Sequence, residues 1–262
     1  MIGRETQICL VNKLENIHHV VVQASAIDGS NVFALQLLHK QSDVVVYQTP
    51  NDSETVTFDE DHPILYLKGP NSAGTAGGHT QTWIQSGENN KWFVGTKPKR
   101  HGNTYWTTQI ARVTVPGYQT QVFANNTDLP RLSYLNRAGA GYGDGGTVYP
   151  GKDLVRVEAT VSPNGHYFLI ASIDINHTGY FALYDLNEVN NKLDAADTFL
   201  VSGMYLYQLP YELQATDRYN VENFYYKLVV YNGMPEGSTE LRETEGIETP
   251  PVIGLKEYNP DV

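Results

Sequence analysis

Residues 156–186 read RVEATVSPNGHYFLIASIDINHTGYFALYDL. Two turn sequences, SPNG at 162–165 and NHTG at 176–179, divide this stretch into three runs rich in apolar, β-branched and aromatic side chains. Such runs, joined by short turns that contain Gly, Pro and Asn, are typical of consecutive antiparallel strands. The stretch therefore predicts a three-stranded meander.

Two further groups of strand-like runs precede this meander. DGSN at 28–31 is a strong hairpin signal within the first group. The first group comprises 20–27, 32–38, 44–48 and 64–67, and the second comprises 80–85, 92–96 and 104–115. Only 186–196 has a helical pattern. Because strands do not alternate with helices, a doubly wound parallel sheet is not expected.

The first and third groups resemble each other. QAS at 23–25, a DG turn and Phe33 correspond to EAT at 158–160, an NG turn and Phe168. Weakly repeated antiparallel units of roughly 40 to 50 residues are typical of propeller blades. We expect an all-β fold, a β-propeller-like array of antiparallel meander blades, with 80–115 as the other clear blade. The alternative is a β-sandwich, whose strands would pair across two sheets.

The composition agrees with an all-β domain. Among 262 residues there are 18 Tyr, 8 Phe and 3 Trp, which suit a pleated, half-buried surface. We expect one propeller-like domain over 1–235, with a strand at 224–231. Residues 236–262 are rich in Glu, Thr, Gly and Pro, so we expect an acidic, mobile tail with a short edge strand near 252–255.

The net charge and the Cys and His residues argue against several classes of partner and site. The formal net charge of −11 argues against nucleic acid and anionic membranes, which would repel the chain. The one basic run, KPKRH at 97–101, is interpreted as a solvated hairpin turn. The single Cys9 excludes an internal disulfide, and the adjacent His18 and His19 give no metal-ligand spacing. We expect no membrane-spanning segment and no recognisable signal peptide.

GGHTQTW at 77–83 concentrates polar and aromatic side chains that cost free energy to bury. On a regular strand, His79, Gln81 and Trp83 would share one face. One interpretation is a hydrogen-bonding pair beside an indole, which would bind a sugar ring. The other is a structural connection between neighbouring blades.

NTDLPRLSYLNRAG at 126–139 contains the second cluster, Asp128, Arg131, Asn136 and Arg137. Arginine presents a planar fork that suits carboxylate or phosphate groups, and Asp128 is the obvious internal partner for one of the arginines. The other arginine would then bind an anionic ligand. If the two motifs form a binding site, their polar residues should lie together on one partly exposed surface.

Catalytic patterns are weak. The sequence has no Gly-x-Ser-x-Gly elbow or Walker loop, and AGAGYG at 138–143 lacks the helix that should follow it in a dinucleotide site. Asp128, Glu158, Asp174 and Asp185 are candidates for a glycosidase pair, but no spacing places two of them together. We therefore predict no catalytic residue, no metal and no cofactor.

Together with WFVGTKP at 92–98, QIARV at 109–113 and EATVSP at 158–163, the two polar motifs resemble those of the helveticin J family, large heat-labile bacteriocins of lactobacilli. The motifs occur in the same order from about Ile64 to Asp194. The resemblance implies a secreted antibacterial protein that acts on related Gram-positive cells.

The resemblance and the weak catalytic patterns predict a non-enzymatic bacteriocin that binds a surface glycan or wall polymer. Two alternatives from other classes stay open. One is a lectin-like or scaffold module that binds the same surface without killing, and the other is a propeller-type glycoside hydrolase. The acidic segment after Tyr231 departs from the family pattern, so closure of the propeller is also open.

Overall fold

The computed structural model describes residues 12–131, 153–177, 179–201 and 226–231. Within these ranges the chain consists mostly of strands, with one α-helix and two short 3-10 turns, and the all-β prediction is confirmed. In chain order the elements are β1 (Lys13–Glu15), β2 (Val22–Ile27), β3 (Asn31–Leu38), β4 (Asp43–Pro50), β5 (Thr55–Thr57), β6 (Leu65–Leu67), β7 (Trp83–Gln85), β8 (Lys91–His101), β9 (Thr104–Thr114), β10 (Gln121–Phe123), β11 (Leu154–Val161), β12 (Tyr167–Asp174), β13 (Gly179–Asp185), α1 (Leu186–Val201) and β14 (Tyr226–Tyr231).

The strands form three main sheets. The first sheet has the order β10-β6-β4-β3-β2, the middle sheet β7-β8-β9 and the third sheet β11-β12-β13-β14, while β1 and β5 pair separately. Sequential strands pair as antiparallel meanders, as the sequence predicts. However, β10 follows the middle sheet in sequence and returns to the first, where it pairs with β6 in parallel. Within the described ranges the sheets stay open and do not close into a ring.

The hairpin turns form where the sequence predicts them. Between β2 and β3, the carboxylate of Asp28 accepts a hydrogen bond from the N–H of Asn31 at 2.8 Å, and Gly29 has a φ of 88°. Between β11 and β12, the N–H of Gly165 donates to the carbonyl of Ser162 at 2.8 Å. The left-handed φ favours glycine, which has no Cβ to clash with the backbone.

The basic run 97–101 lies on the last part of β8, and the turn follows at 102–103. Lys97, Lys99 and Arg100 are exposed. These three side chains reach solvent as predicted, but Pro98 and His101 are half-buried and the run itself belongs to a strand, because β9 pairs with it to the end.

The core lies on both sides of the middle sheet. Trp92 and Val94 pack in the cluster shared with the first sheet, whereas Phe93 packs with the third sheet and α1. Phe33 of β3 contacts Trp92 with ring centroids 4.4 Å apart, and Phe168 of β12 contacts Phe93 at 4.7 Å. Because neighbouring side chains of β8 point to opposite faces, this strand packs against the first sheet on one side and the third sheet on the other. The two phenylalanines that correspond in the sequence repeat both pack on the middle sheet.

The C-terminal elements agree in part with expectation. The helix α1 is longer than the predicted 186–196. The carboxylate of Asp185 caps it by accepting a hydrogen bond from the N–H of Glu188 at 3.1 Å. The strand expected at 224–231 is confirmed as β14, which pairs with β13. The tail at 236–262, with its expected edge strand, lies outside the described residues, so the domain boundary stays a prediction.

Candidate functional site

The segment 79–83 is not a regular strand. His79 forms an isolated parallel bridge with Trp106 of β9, and β7 begins only at Trp83. The N–H of His79 donates to the carbonyl of Tyr105 at 2.6 Å, and its carbonyl accepts a hydrogen bond from the N–H of Thr107 at 3.0 Å. Because the backbone of His79 pairs with β9 ahead of β7, the strand expected over 80–85 is wrong in its first half.

The three candidate side chains of this segment therefore do not share one face. The ring of His79 stacks on Trp106 with centroids 4.2 Å apart. Trp83 instead stacks on Trp92 at 4.7 Å, in the core cluster shared with the first sheet. His79, Gln81 and Trp83 are 4%, 7% and 3% exposed, so the expected exposed surface does not hold for these residues.

A buried carboxylate connects this segment to the third sheet. Glu158 on β11 accepts hydrogen bonds at Oε2 from the hydroxyl of Thr82 (2.6 Å), the N–H of Gln81 (3.0 Å) and the hydroxyl of Thr80 (3.1 Å). Its Oε1 accepts one from Nε of Arg156 at 2.9 Å. Glu158 thus accepts four hydrogen bonds, three of which fix the segment 80–82 against β11.

Arg156 completes this buried network. Its guanidinium donates to the side-chain oxygen of Gln81 and lies over the ring of Trp106, 4.4 Å from the centroid. His79 stacks on the same indole. The arrangement matches the structural interpretation, in which the polar side chains of the motif connect neighbouring sheets. A buried charge pair of this kind is strongly destabilising to break, because one charge is then left without its partner.

The second cluster is only partly described. Asp128 is exposed, and its carboxylate accepts a hydrogen bond from the hydroxyl of Thr127 at 3.4 Å. Arg131 is half-buried, and its guanidinium donates to the side chain of Gln109 at 3.4 Å. The sequence predicts that Asp128 pairs with one of the two arginines, and within the described ranges it forms no ion pair with Arg131. Asn136 and Arg137 lie outside the described residues, so their predicted role in binding is untested.

A further buried network, around Arg112, is not predicted by the sequence motifs. This side chain on β9 is 1% exposed and donates to Glu88 at 2.7 Å, to the side chain of Asn190 at 2.9 Å and to Asp194. Lys91 also pairs with Asp194, at 2.6 Å. Burial alone would raise the pKa of Asp194, but its bonds to Lys91 and Arg112 lower it. The only signal in the sequence was a charged residue inside the apolar run QIARV, which requires a buried partner.

A second missed carboxylate lies at the turn between β3 and β4. The Asp43 side chain is fully buried and accepts hydrogen bonds from the hydroxyls of Tyr66 (2.5 Å) and Ser72 (2.7 Å), the ring of His39 (2.8 Å) and the N–H of Gly69 (2.9 Å). Burial alone would raise the pKa of Asp43, but these hydrogen bonds lower it below its ordinary value. Asp43 thus connects the turn to the loop after β6.

Two features are absent from the part of the chain that the structure describes. It contains no group of three or more His, Cys, Asp and Glu side chains arranged to hold a metal ion. None of its helices is long and apolar enough to cross a membrane.

Comparison with known proteins agrees with the resemblance seen in the motifs. The family model for bacteriocin helveticin-J matches residues 3–232, a wider range than Ile64 to Asp194. The chain is 33% identical over 213 residues to bacteriocin helveticin-J of Lactobacillus helveticus, and the match covers 72% of this chain and 58% of that protein. The chain therefore spans less than two thirds of its relative's length. It belongs to the bacteriocin helveticin-J family.

Proposed function

We propose that this chain is an antibacterial protein of the bacteriocin type, which acts outside the producing cell. It binds a glycan or wall polymer on the surface of related bacteria and does not cleave that polymer. Family membership supports the bacteriocin part of the proposal. The observation that carries the non-enzymatic part is the state of Glu158, which is 2% exposed and bonded to Arg156 and the segment 80–82.

The other acidic residues considered for a hydrolase support the same reading. Retaining and inverting glycosidases need two carboxyl groups about 5–10 Å apart on either side of the bond that is cut. Asp185 caps α1, and buried Asp174 accepts a hydrogen bond from the N–H of Asn176 at 2.8 Å. Asp128 alone is exposed. Glu158 and Asp174 are buried and Asp185 is half-buried with its carboxylate bonded to α1, which supports a non-catalytic role for these three residues.

The three main sheets are proposed to be blades of a propeller. In such folds the first strands of successive blades lie around a central axis. Here β7, the first strand of the middle sheet, contacts both β2 and β11, which begin the neighbouring sheets. An experimental structure of the whole chain should show these three strands around one axis. Two face-packed sheets with Greek-key crossings would contradict the proposal.

The proposed binding function is tested on living cells. Purified chain is mixed with a sensitive related strain and an unrelated strain, and the cells are sedimented and counted for growth. The proposal expects the chain in the pellet of the sensitive strain together with loss of growth. Sedimentation with unchanged growth would instead favour the lectin-like alternative. Absence of both would contradict the proposal.

The control for this assay is the Glu158→Ala variant, which should lose the buried network and unfold more readily. Its binding should fall with its folded fraction, as measured by circular dichroism. Secretion is tested separately by following the chain in the supernatant and cell fractions of a producing culture. Retention inside intact cells would contradict the extracellular part of the proposal.

A further inference from the structure

Positive charge is concentrated at one end of the middle sheet. Lys97, Lys99 and Arg100 are exposed on the last part of β8, next to the half-buried His101. They stand out in a chain with only 18 Lys and Arg and a formal net charge of −11. We call Lys97, Lys99, Arg100 and Arg131 the basic tip.

Arg131 joins the basic tip from a distant part of the chain. Its guanidinium donates to Gln109, which lies opposite Thr96, the residue before Lys97. Partial desolvation, and then the positive charge of Arg131, lower the pKa of Lys97. Two sequence segments therefore contribute cations to one place, although like charges repel each other there.

Lys97 and Arg100 differ from the paired cations elsewhere in the protein. Lys13, Lys91 and Arg156 each form an ion pair with a carboxylate. Across the described ranges, neither Lys97 nor Arg100 lies within ion-pair distance of an acidic side chain. Arg100 donates from Nε to the carbonyl of Gly102 at 3.2 Å, which fixes its position at the turn. Lys97 and Arg100 therefore carry positive charge that no ion pair within the described ranges neutralises.

We infer that the basic tip binds a linear polyanion that carries phosphodiester groups on the surface of the target cell. The inference rests on the proposed function and names the chemical class of its ligand. Arginine and lysine both bind phosphate oxygens, the former through its planar fork and the latter as a point charge. A flexible polymer chain can follow a narrow group of cations while the acidic remainder of the protein stays away from it.

A membrane surface fits the tip less well. Proteins that bind anionic bilayers combine basic residues with exposed apolar side chains that enter the interface. Among the exposed large apolar side chains of the described residues, Ile175 lies near the tip, since its N–H donates to Asp153, the residue before Leu154, whose carbonyl accepts a hydrogen bond from Lys99. The others lie on or beside β2, β10 and the start of β12: Val20, Val21, Ile27, Tyr118, Val122 and Tyr167. A planar anionic surface would also face more of the acidic protein than a single polymer chain does, and the net charge opposes that approach.

The test measures binding of the full chain to fluorescently labelled poly(glycerol phosphate). Neutral dextran, polyglutamate and vesicles of phosphatidylglycerol serve as comparisons. With about three phosphate contacts, a tenfold rise in salt should weaken binding about 100-fold, because condensed counterions are released on binding. The double variant Lys97→Gln with Arg100→Gln should raise Kd about tenfold or more and reduce the salt slope by about 1.4.

The matched control is Lys13→Gln with Lys40→Gln, which removes the same charge from two exposed positions outside the tip. Its Kd should stay within about twofold of the parent, since it removes no phosphate contact. Equal weakening in both double variants would overturn the inference, since net charge alone would then explain binding. Preference for vesicles, for polyglutamate or for dextran would also overturn it.

Growth inhibition by the same proteins separates this inference from the proposed function. A chain that inhibits growth but does not bind the phosphate polymer would overturn the inference and leave the bacteriocin proposal in place. A chain that binds the polymer through Lys97 and Arg100 but never inhibits growth would support the inference and contradict the bacteriocin proposal.

Discussion

Arg156 and Glu158 lie two residues apart on β11 and form a buried ion pair, with 2.9 Å between Nε and Oε1. Residues at this spacing point to the same face of a strand. Here that face meets the segment 80–82, whose polar groups donate to the same carboxylate. The polar motif that suggested a ligand site is thereby used to join two sheets.

Replacing Glu158 by Gln should therefore destabilise the fold. The change leaves Arg156 buried without its counter-charge and should lower the free energy of unfolding by about 3–5 kcal/mol. Chemical denaturation followed by circular dichroism measures the loss. Glu15→Gln is the control, since Glu15 forms an exposed ion pair with Lys13 and should cost at most about 1 kcal/mol. Similar losses in both variants would show that the buried pair contributes no more than a surface pair.

A methyl group at Gly95 should disturb the same network. A Cβ there would lie 2.2 Å from Oγ1 of Thr80 and 2.5 Å from Oγ1 of Thr107. Thr80 donates to Glu158, so it has to give up that bond or the backbone has to move. Gly95→Ala should cost about 2–3 kcal/mol, measured as a shift in the urea midpoint.

Gly102→Ala is the matched control on the same hairpin. A Cβ at Gly102 meets nothing within 4 Å, but the residue has a φ of 59°. The expected cost is about 1–2 kcal/mol, from backbone conformation alone. A loss at Gly95 smaller than the loss at Gly102 would contradict the close packing of β8 against the segment 79–83.

Asp43 should make stability depend on pH. In the folded chain its pKa lies below the ordinary value of 3.8, so the folded state binds a proton less readily than the unfolded state does. The stabilisation is present above pH 3.8 and is lost as pH falls through the lowered pKa. Asp43→Asn should lower the free energy of unfolding by about 2–3 kcal/mol at neutral pH, because the hydrogen-bond donors lose a charged acceptor. The variant should also lose less stability than the parent when the pH is lowered.

The control for Asp43 is Asp59→Asn. Asp59 also has a lowered pKa, chiefly through its hydrogen bond to His62, but its carboxylate is exposed. The change in unfolding free energy between neutral and acid pH should be nearly the same in Asp59→Asn as in the parent. An identical pH dependence in the parent and the Asp43→Asn variant would contradict the role assigned to Asp43.

Arg137 provides a test of the second polar motif. If Arg137 binds an anionic group of the ligand, Arg137→Ala should weaken binding to sensitive cells by about 1–3 kcal/mol and leave the melting temperature unchanged. Binding and melting temperature are measured on the same preparation. A lowered melting temperature with a parallel fall in binding would instead assign Arg137 a structural role.

Local turn chemistry made the meanders predictable. DGSN at 28–31 and SPNG at 162–165 each specify their own turn, and the strands beside them are long enough to show a pattern. The short strands β1, β5 and β10 were missed, since three residues carry no recognisable period. The return of β10 to β6 depends on long-range pairing, which no local signal in the sequence encodes.

The candidate site was predictable in composition but not in geometry. The density of His, Gln and Trp at 79–83 indicated a polar network, and one is present. The prediction that His79, Gln81 and Trp83 share one face is wrong because the segment is not a regular strand. Its partners, Trp106 and Arg156, are distant in sequence, so no local pattern indicates them. Arg112 and Asp43 were overlooked for a related reason, since each depends on partners from other elements.

Incubation of the chain with purified cell walls separates binding of the wall from its cleavage. The chain is used at a concentration that stops growth of the sensitive strain, and soluble reducing sugars and amino groups are followed over time. We expect no release above the buffer level while the chain itself sediments with the walls. Progressive release that disappears in an Asp128→Asn variant would contradict this expectation, because Asp128 is exposed and its carboxylate accepts a long hydrogen bond from Thr127, so the replacement should not unfold the chain.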